Sequence, residues 1–536
     1  MSKDIRVSEV DILDIVANWK VDASSEDMNR YFFEFNGFSN ILSGNVSFVV
    51  GRKGCGKTAI ISYIESLTGH DLFANKITFG AFPFEEFSEY LSKDFLKSNA
   101  FATAWKYTIY NSVLDHMAKN DALPAEARSA LEDRKPTTPE RRFSDTMGRW
   151  KARSFSAGVG NNPLVGGLSF STSSQPLARK AATLAEQVAA MEDFIFKYID
   201  GSSYFILFDG LDSEVPKTEN IHDGWEKYDY IITSLFKAAL EVRNLFRSSQ
   251  INVIPIVFVR DDIFELTSDS DKEKWSDHTY ELTWRIDQIR QMLAYRITRS
   301  IDQDVDILSF NRAWSALFDR RTHITIERTD GSSYEIDVLQ YIRLRTFLRP
   351  RDFIRYLQIC AMVTKQHNKS YDRINPETVV RSEFNYAKRF QQELCDELML
   401  VFPRLKELLS LFDKMPYSRH FTYEQFVETL EREVGDGNVE DFGLKPHMIL
   451  NMLFRYSVLG NVRKFKLPRK ESKYYRTFRY TKPNATLDIN RLMTLHSAIY
   501  ISVYSSQAEI FSNLADKDIE DDENPPTDLV RFEEID

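Results

Sequence analysis

The octapeptide GRKGCGKT at residues 51–58 constrains this chain more than any other feature. It fits the pattern G-x-x-x-x-G-K-[ST], follows the apolar β-rich run SGNVSFVV, and precedes AIISYIESLTG, whose apolar residues have helical spacing. Strand, glycine loop and helix in this order predict a turn whose backbone N–H groups and helix N-terminus surround phosphate groups. We read residues 45–50 as the buried strand that leads into the loop.

The chemistry of the loop predicts a role for each kind of residue in it. Glycine lets the backbone turn tightly, Lys57 is expected to reach the outer phosphates of a nucleotide, and Thr58 to offer its hydroxyl to Mg²⁺. Cys55 is either a thiol activated by the helix N-terminus or simply a small residue tolerated there. The predicted nucleotide-binding residues are Gly51, Arg52, Lys53, Gly54, Cys55, Gly56, Lys57, Thr58 and Ala59.

Two further apolar runs end in charged residues. FILFDGLDSE places Asp209 at a strand end, where we predict a second magnesium ligand beside Thr58. Asp212 and Glu214 follow, and either is a candidate general base, although a solvated acidic turn or a helix cap is the alternative. VIPIVFVRDDIF places Arg260 at another strand end, where it either contacts the γ-phosphate or forms a structural ion pair.

The element pattern predicts an α/β fold with several domains, because 536 residues are too many for one core. Residues 43–285 alternate strands and helices, which predicts a P-loop NTPase domain with a mostly parallel sheet covered by helices. We expect an N-terminal segment at 1–42, a Gly/Ser-rich insertion at about 154–176, an all-helical lid at 286–395, a winged-helix-like domain at 396–505 and a disordered acidic tail at 506–536.

Composition excludes several classes of protein. The longest strongly apolar runs are far below the ~20 residues needed to span a bilayer, so we expect no membrane segment. Cys55, Cys360 and Cys395 are the three cysteines, too few and too scattered for a disulfide framework, which fits a reducing cytoplasm. The net charge of -10 argues against a uniformly basic surface that binds nucleic acid, so any contact with phosphates would depend on a local basic patch.

A basic segment between residues 455 and 482 contrasts with that negative total. It has the single acid Glu471 and follows two predicted helices, so we predict a winged helix whose basic wing lies along the phosphates of double-stranded DNA. The alternatives are that the wing contacts the chain's own acidic tail or ATPase domain, or docks a protein. The basic residues are Arg455, Arg463, Lys464, Lys466, Arg469, Lys470, Lys473, Arg476, Arg479 and Lys482.

The order of these motifs resembles the AAA+-related and STAND-type ATPases over most of residues 30–500. The resemblance extends to the origin-recognition and NACHT-like branches and to a prokaryotic P-loop ATPase family found near defence genes. LFDGLDSE is similar to the Walker B form DGLDE, with Ser213 where the usual Glu would be, which leaves the base and the hydrolysis rate open. LRPRDFIRYL resembles the lid motif whose arginine touches the γ-phosphate. Arg351 is then the candidate, Arg349 the substitute, and a salt bridge at the helix start the alternative.

The resemblance implies an ATP- and Mg²⁺-dependent switch whose lid closes over the γ-phosphate. It also implies a homo-oligomer, because related ATPases complete their sites with a neighbour's arginine, and control of a partner protein, a nucleic acid or a defence partner. Adenine is preferred because the chain has neither an N-K-x-D motif nor an LSGGQ-like signature. The main alternative is a nucleic-acid- or protein-binding module that keeps ATP as a barely hydrolysed structural ligand. A small-molecule kinase would not need the lid and wing.

Overall fold

The computed structural model describes most of the chain, in two compact units. One unit contains Asp22–Thr283, and the other combines the N-terminal residues through Val21, including helix α1 (Ile12–Ala17), with the chain from Trp284 onward. The described residues are 11–79, 98–132, 134, 141, 184–211, 221–320, 322–327, 333–367, 372–399, 402–415, 420–434, 444–465, 473–504 and 519–521. The predicted insertion at 154–176 lies outside them.

A five-stranded parallel sheet forms the centre of the Asp22–Thr283 unit, in the order β2-β3-β4-β1-β5. Strand β4 is buried throughout and β3 at all but its first residue, which explains why both sequences are continuous apolar runs. The predicted parallel sheet is confirmed. The strands are β1 (Phe48–Val50), β2 (Leu72–Thr78), β3 (Ser203–Asp209), β4 (Val253–Val259) and β5 (Thr279–Glu281).

Helices cover this sheet and bury a largely aromatic core. Trp105 packs edge-on against Phe208 of β3 and donates its indole N–H to Ile231 O and Ser234 Oγ, so a large side chain is buried with its polar atom satisfied. The helices are α2 (Met28–Tyr31), α3 (Phe38–Leu42), α4 (Lys57–Ser66), α5 (Ser98–Met117), α6 (Ala125–Leu131), α7 (Leu184–Tyr198), α8 (Ile221–Ser248), α9 (Asp261–Leu266) and α10 (Lys272–Ser276).

The region predicted as an all-helical lid also contains strands. An antiparallel hairpin, β6 (His323–Glu327) with β7 (Ser333–Asp337), interrupts the helices. The all-helical prediction was wrong at this point because HITIE and SYEID alternate apolar and polar residues, which is the strand period. The helices are α11 (Ile286–Ile301), α12 (Phe310–Leu317), α13 (Val338–Arg343), α14 (Pro350–His367) and α15 (Pro376–Leu398). Helix α1 packs with them, and Trp19 donates to Ser300 Oγ.

The C-terminal elements follow the order helix, strand, helix, helix and hairpin, as a winged helix would, and that assignment remains a prediction. Their sheet has the order β12-β10-β9-β11-β8, in which β12 pairs parallel with β10 and the other pairs are antiparallel. The elements are α16 (Leu405–Phe412), β8 (His420–Phe421), α17 (Tyr423–Val434), α18 (Pro446–Arg455), β9 (Leu459–Phe465), β10 (Lys473–Thr477), β11 (Met493–Leu495), α19 (Ser497–Tyr504) and β12 (Ile519–Asp521).

Two observations bear on the remaining predictions about the chain. Strand β12 lies inside the tail that we expected to be disordered. Its three residues pair with the backbone of β10, and such a pairing cannot be predicted from composition. Within the described ranges, no helix is both long and apolar enough to cross a bilayer.

Candidate nucleotide site

The glycine loop connects the end of β1 to the start of α4. Gly51 N–H donates to Val259 O of β4, and an added Cβ at Gly51 would lie 2.9 Å from Leu282 O. Gly56 has φ +105°, a left-handed conformation that side-chain-bearing residues rarely adopt, and it caps α4. The glycines therefore serve two needs, a close backbone approach at Gly51 and a left-handed turn at Gly56.

Lys57 is folded across the loop that precedes it. Its Nζ donates to Gly51 O at 2.5 Å and to Arg52 O at 3.1 Å. These carbonyls hold the ammonium in place at the N-terminus of α4, where backbone N–H groups favour a bound anion. Cys55, within the loop, is buried at 5% exposure, as a small packing residue would be.

Thr58 and Asp209 meet although 151 residues separate them. Thr58 Oγ1 donates to Asp209 Oδ2 at 3.3 Å, because β3 and β1 end at the same edge of the parallel sheet. A hydroxyl and a carboxylate are oxygen ligands that suit Mg²⁺. Among the described residues, no group of three or more His, Cys, Asp or Glu is arranged so that it could hold a metal ion.

Lys76 is a member of this site that the sequence analysis missed. Its Nζ lies 2.9 Å from Asp209 Oδ2, the oxygen that also accepts from Thr58, and its backbone N–H donates to Glu65 Oε1 at 3.0 Å. Burial raises the pKa of Glu65, against the opposing effect of Lys76. No motif marks Lys76, and only the pairing of β2 with β3 brings it to Asp209.

Arg260 lies at the end of β4 in a bidentate ion pair. Its Nε donates to Asp262 Oδ1 at 2.9 Å and its terminal nitrogen to Asp262 Oδ2 at 2.6 Å, and both residues are buried. Burial alone would raise the pKa of Asp262, but Arg260 and the nearby Lys57 hold it below its usual value. The ion-pair alternative for Arg260 is therefore observed, and its γ-phosphate contact remains a prediction.

The candidate lid arginines differ sharply in their surroundings. Arg349 is 4% exposed, forms a bidentate pair with Asp352, and lies 3.4 Å from Glu397 Oε2. Arg351 is partly exposed in the first turn of α14, and its side chain forms no hydrogen bond or ion pair with a described residue. Arg349 is thus committed to the interior of its own unit. The contact of Arg351 with the γ-phosphate remains a prediction. Asp212 and Glu214, the candidate general bases, lie outside the described residues.

The basic wing presents fewer charges to solvent than the sequence suggested. Among its described side chains, Arg463 and Lys482 are exposed, Arg455 and Arg479 are partly buried, and Arg476 is 3% exposed. Arg476 was counted among the candidate phosphate contacts, and its burial excludes it from that surface. Strand β12 of the acidic tail pairs with β10 of the wing, and Asp521 lies opposite Arg476 in this pairing. The wing therefore contacts the chain's own tail through the backbone, which was one of the predicted alternatives.

Comparisons with known proteins extend these observations only in part. Residues 287–395 match the FunZ-associated C-terminal helical domain. The Walker-type ATPase PABY2304 of Pyrococcus abyssi is similar in structure, with a TM-score of 0.35 and 10% identity over 88% of this chain and 96% of that one. ORC of Drosophila, solved bound to DNA, has a TM-score of 0.27 and 9% identity over 94% and 93%. No curated protein matches the sequence.

Proposed function

We propose that the Asp22–Thr283 unit binds ATP with Mg²⁺ in the GRKGCGKT loop and hydrolyses the β–γ anhydride. The observation that carries this proposal is the 3.3 Å contact between Thr58 Oγ1 and Asp209 Oδ2 at the helix end of a glycine loop. A phosphate-binding turn and an oxygen pair suited to Mg²⁺ are thereby joined in one place.

The residues divide the chemistry among them in this proposal. Loop N–H groups hold the phosphates, and Lys57 exchanges its two carbonyl contacts for the outer phosphates. Thr58 and Asp209 would hold Mg²⁺, and the chemistry that this ion would supply is the stabilisation of negative charge on the phosphates. Asp212 or Glu214 would position the attacking water as general base.

The arginines would act on the charge of the γ-phosphate. Arg351, on α14, is the proposed reader of this phosphate. Arg260 already pairs with the Asp262 carboxylate. To contact the phosphate as well, its guanidinium would have to divide its N–H donors between Asp262 and the phosphate. In this proposal the helical lid closes over the γ-phosphate, and this closure makes the chain a switch. The chain would also act as a homo-oligomer.

The test is nucleotide binding by calorimetry together with phosphate release by the full-length chain. We expect Lys57→Ala to lose binding, and Asp209→Asn to lose Mg²⁺-dependent turnover. Lys237→Met is the matched control, because it removes a lysine that pairs with Asp269 at 2.8 Å outside the loop. Unchanged turnover in Lys57→Ala would contradict the proposal. Tight binding without turnover in the native chain would favour the structural-ligand alternative.

Coupling to nucleic acid or to a defence partner is a further part of the proposed function. The exposed Arg463 and Lys482 support a contact with phosphates, and the burial of Arg476 limits its strength. Turnover measured with and without double-stranded DNA separates the two partners. Stimulation that declines with salt supports DNA, and turnover indifferent to DNA directs the search to a protein.

A further inference from the structure

Asp209 Oδ2 accepts two donors in this structure. The Thr58 hydroxyl lies 3.3 Å away and the Lys76 ammonium 2.9 Å away, so the ammonium contacts the same carboxylate oxygen that faces the proposed metal ligand Thr58. A full positive charge in contact with a carboxylate opposes the binding of a second cation there, both by repulsion and by use of the lone pairs. Lys76 and a metal ion therefore compete for one atom.

The ion pair between Lys76 and Asp209 can also separate, because both side chains are partly exposed to solvent. The Lys76 side chain is 27% exposed and that of Asp209 12%, so the ammonium can move into water without crossing an apolar layer. The Lys76 backbone is held separately, because its N–H donates to Glu65 Oε1 at 3.0 Å. The side chain can thus leave Asp209 while β2 stays in register with β3.

We propose that Lys76 is a built-in counter-ion that competes with divalent cations for Asp209 and keeps the metal affinity of the nucleotide-free protein low. This proposal rests on the proposed function, in which Asp209 holds Mg²⁺. Free metal then binds weakly, and the cation enters with the nucleotide, whose phosphates supply further ligands. The ammonium also neutralises Asp209 when no metal is bound.

The experiment is a titration of the nucleotide-free, full-length protein with Mn²⁺, followed by the electron paramagnetic resonance signal of the free ion. Lys76→Met is expected to tighten Mn²⁺ binding by about tenfold, a change that corresponds to about 1.4 kcal/mol. Lys76→Arg retains the charge and is expected to bind Mn²⁺ as the native chain does. Lys237→Met is the matched control, because the Lys237–Asp269 pair resembles the Lys76–Asp209 pair. Its length is 2.8 Å, and the exposed fractions are 31% for the Lys237 side chain and 14% for that of Asp269.

The outcomes separate this inference from the proposed function. Equal or weaker Mn²⁺ binding by Lys76→Met overturns the competition, as does equal tightening in Lys237→Met. In the double variant Lys76→Met with Asp209→Asn, the gain should disappear. If the gain persists there, Asp209 is not the ligand, and both the competition and the assigned metal site fail. Loss of the gain together with ATP binding by the native chain supports both proposals.

Discussion

Single residues in the loop are fixed by backbone geometry more than by side-chain chemistry. Gly51 lies against Leu282, the residue that follows β5, and the absence of a side chain at Gly51 lets the Leu282 carbonyl approach. Lys57 donates to two carbonyls of the loop, and Asp209 Oδ2 accepts from both Thr58 and Lys76. A substitution at such a position is expected to affect folding and binding together.

Gly51→Ala is expected to destabilise the chain by about 1–3 kcal/mol and to weaken nucleotide binding, because the new Cβ would overlap the Leu282 carbonyl. Gly69→Ala is the control, since its Cβ would meet Leu67 O at an ordinary 3.8 Å. Urea unfolding and ATP titration of both variants check this. Native stability in Gly51→Ala would show that the backbone relaxes there.

At the scale of elements, the contacts between helices and strands hold the site in place. His116 of α5 lies 2.8 Å from Asn75 Oδ1 of β2, the residue before Lys76. Neighbouring residues of a strand point to opposite faces, so α5 holds β2 from one side while Lys76 reaches Asp209 from the other. The position of Lys76 thus depends on helix packing.

Burial lowers the pKa of His116 to about 4, with a smaller contribution from Lys119. The unfolded chain binds the proton more tightly, at a pKa near 6.5. His116 therefore adds full stability above about pH 6.5, and this stability is lost as the pH falls towards 4. Urea unfolding between pH 7 and 4 is expected to show a steeper loss in the native chain than in His116→Gln. Parallel curves would contradict the prediction.

The start of α14 separates a structural arginine from a proposed functional one. Arg349→Ala leaves Asp352 and Glu397 buried without their partner, so we expect a loss of about 3–5 kcal/mol in unfolding free energy. Arg351→Ala is expected to change stability by less than about 0.5 kcal/mol, since the side chain is partly exposed. Its ATP turnover should fall by roughly tenfold or more if it stabilises the γ-phosphate. Native turnover in Arg351→Ala would remove it from the site.

For the whole molecule, the distribution of charge decides which partners are possible. Because the net charge is -10, the proposed contact with nucleic acid depends on a local basic patch, and the exposed Arg463 and Lys482 of the wing are the described candidates for it. We expect the double variant Arg463→Ala and Lys482→Ala to weaken double-stranded DNA binding and to reduce the slope of log affinity against log salt by about 2. Fluorescence anisotropy at several salt concentrations measures both. An unchanged slope would show that the wing serves another partner.

The sequence by itself determined the loop, its strand and helix, the parallel sheet and the position of Asp209. These features are encoded in contiguous residues, since turn chemistry, apolar runs and strand ends are local patterns. The carboxyl ends of parallel strands share one edge, so even the meeting of Thr58 with Asp209 follows from local pattern plus one general rule.

Only the tertiary structure decided which charges pair at the site. Lys76 reaches Asp209 because β2 lies beside β3, and sheet order is not written in any single segment. The burial of Arg476 depends in the same way on which groups packing brings together. Strand β12 is the clearest case, because three residues of the acidic tail pair there with β10, a contact between segments distant in the sequence that composition cannot report.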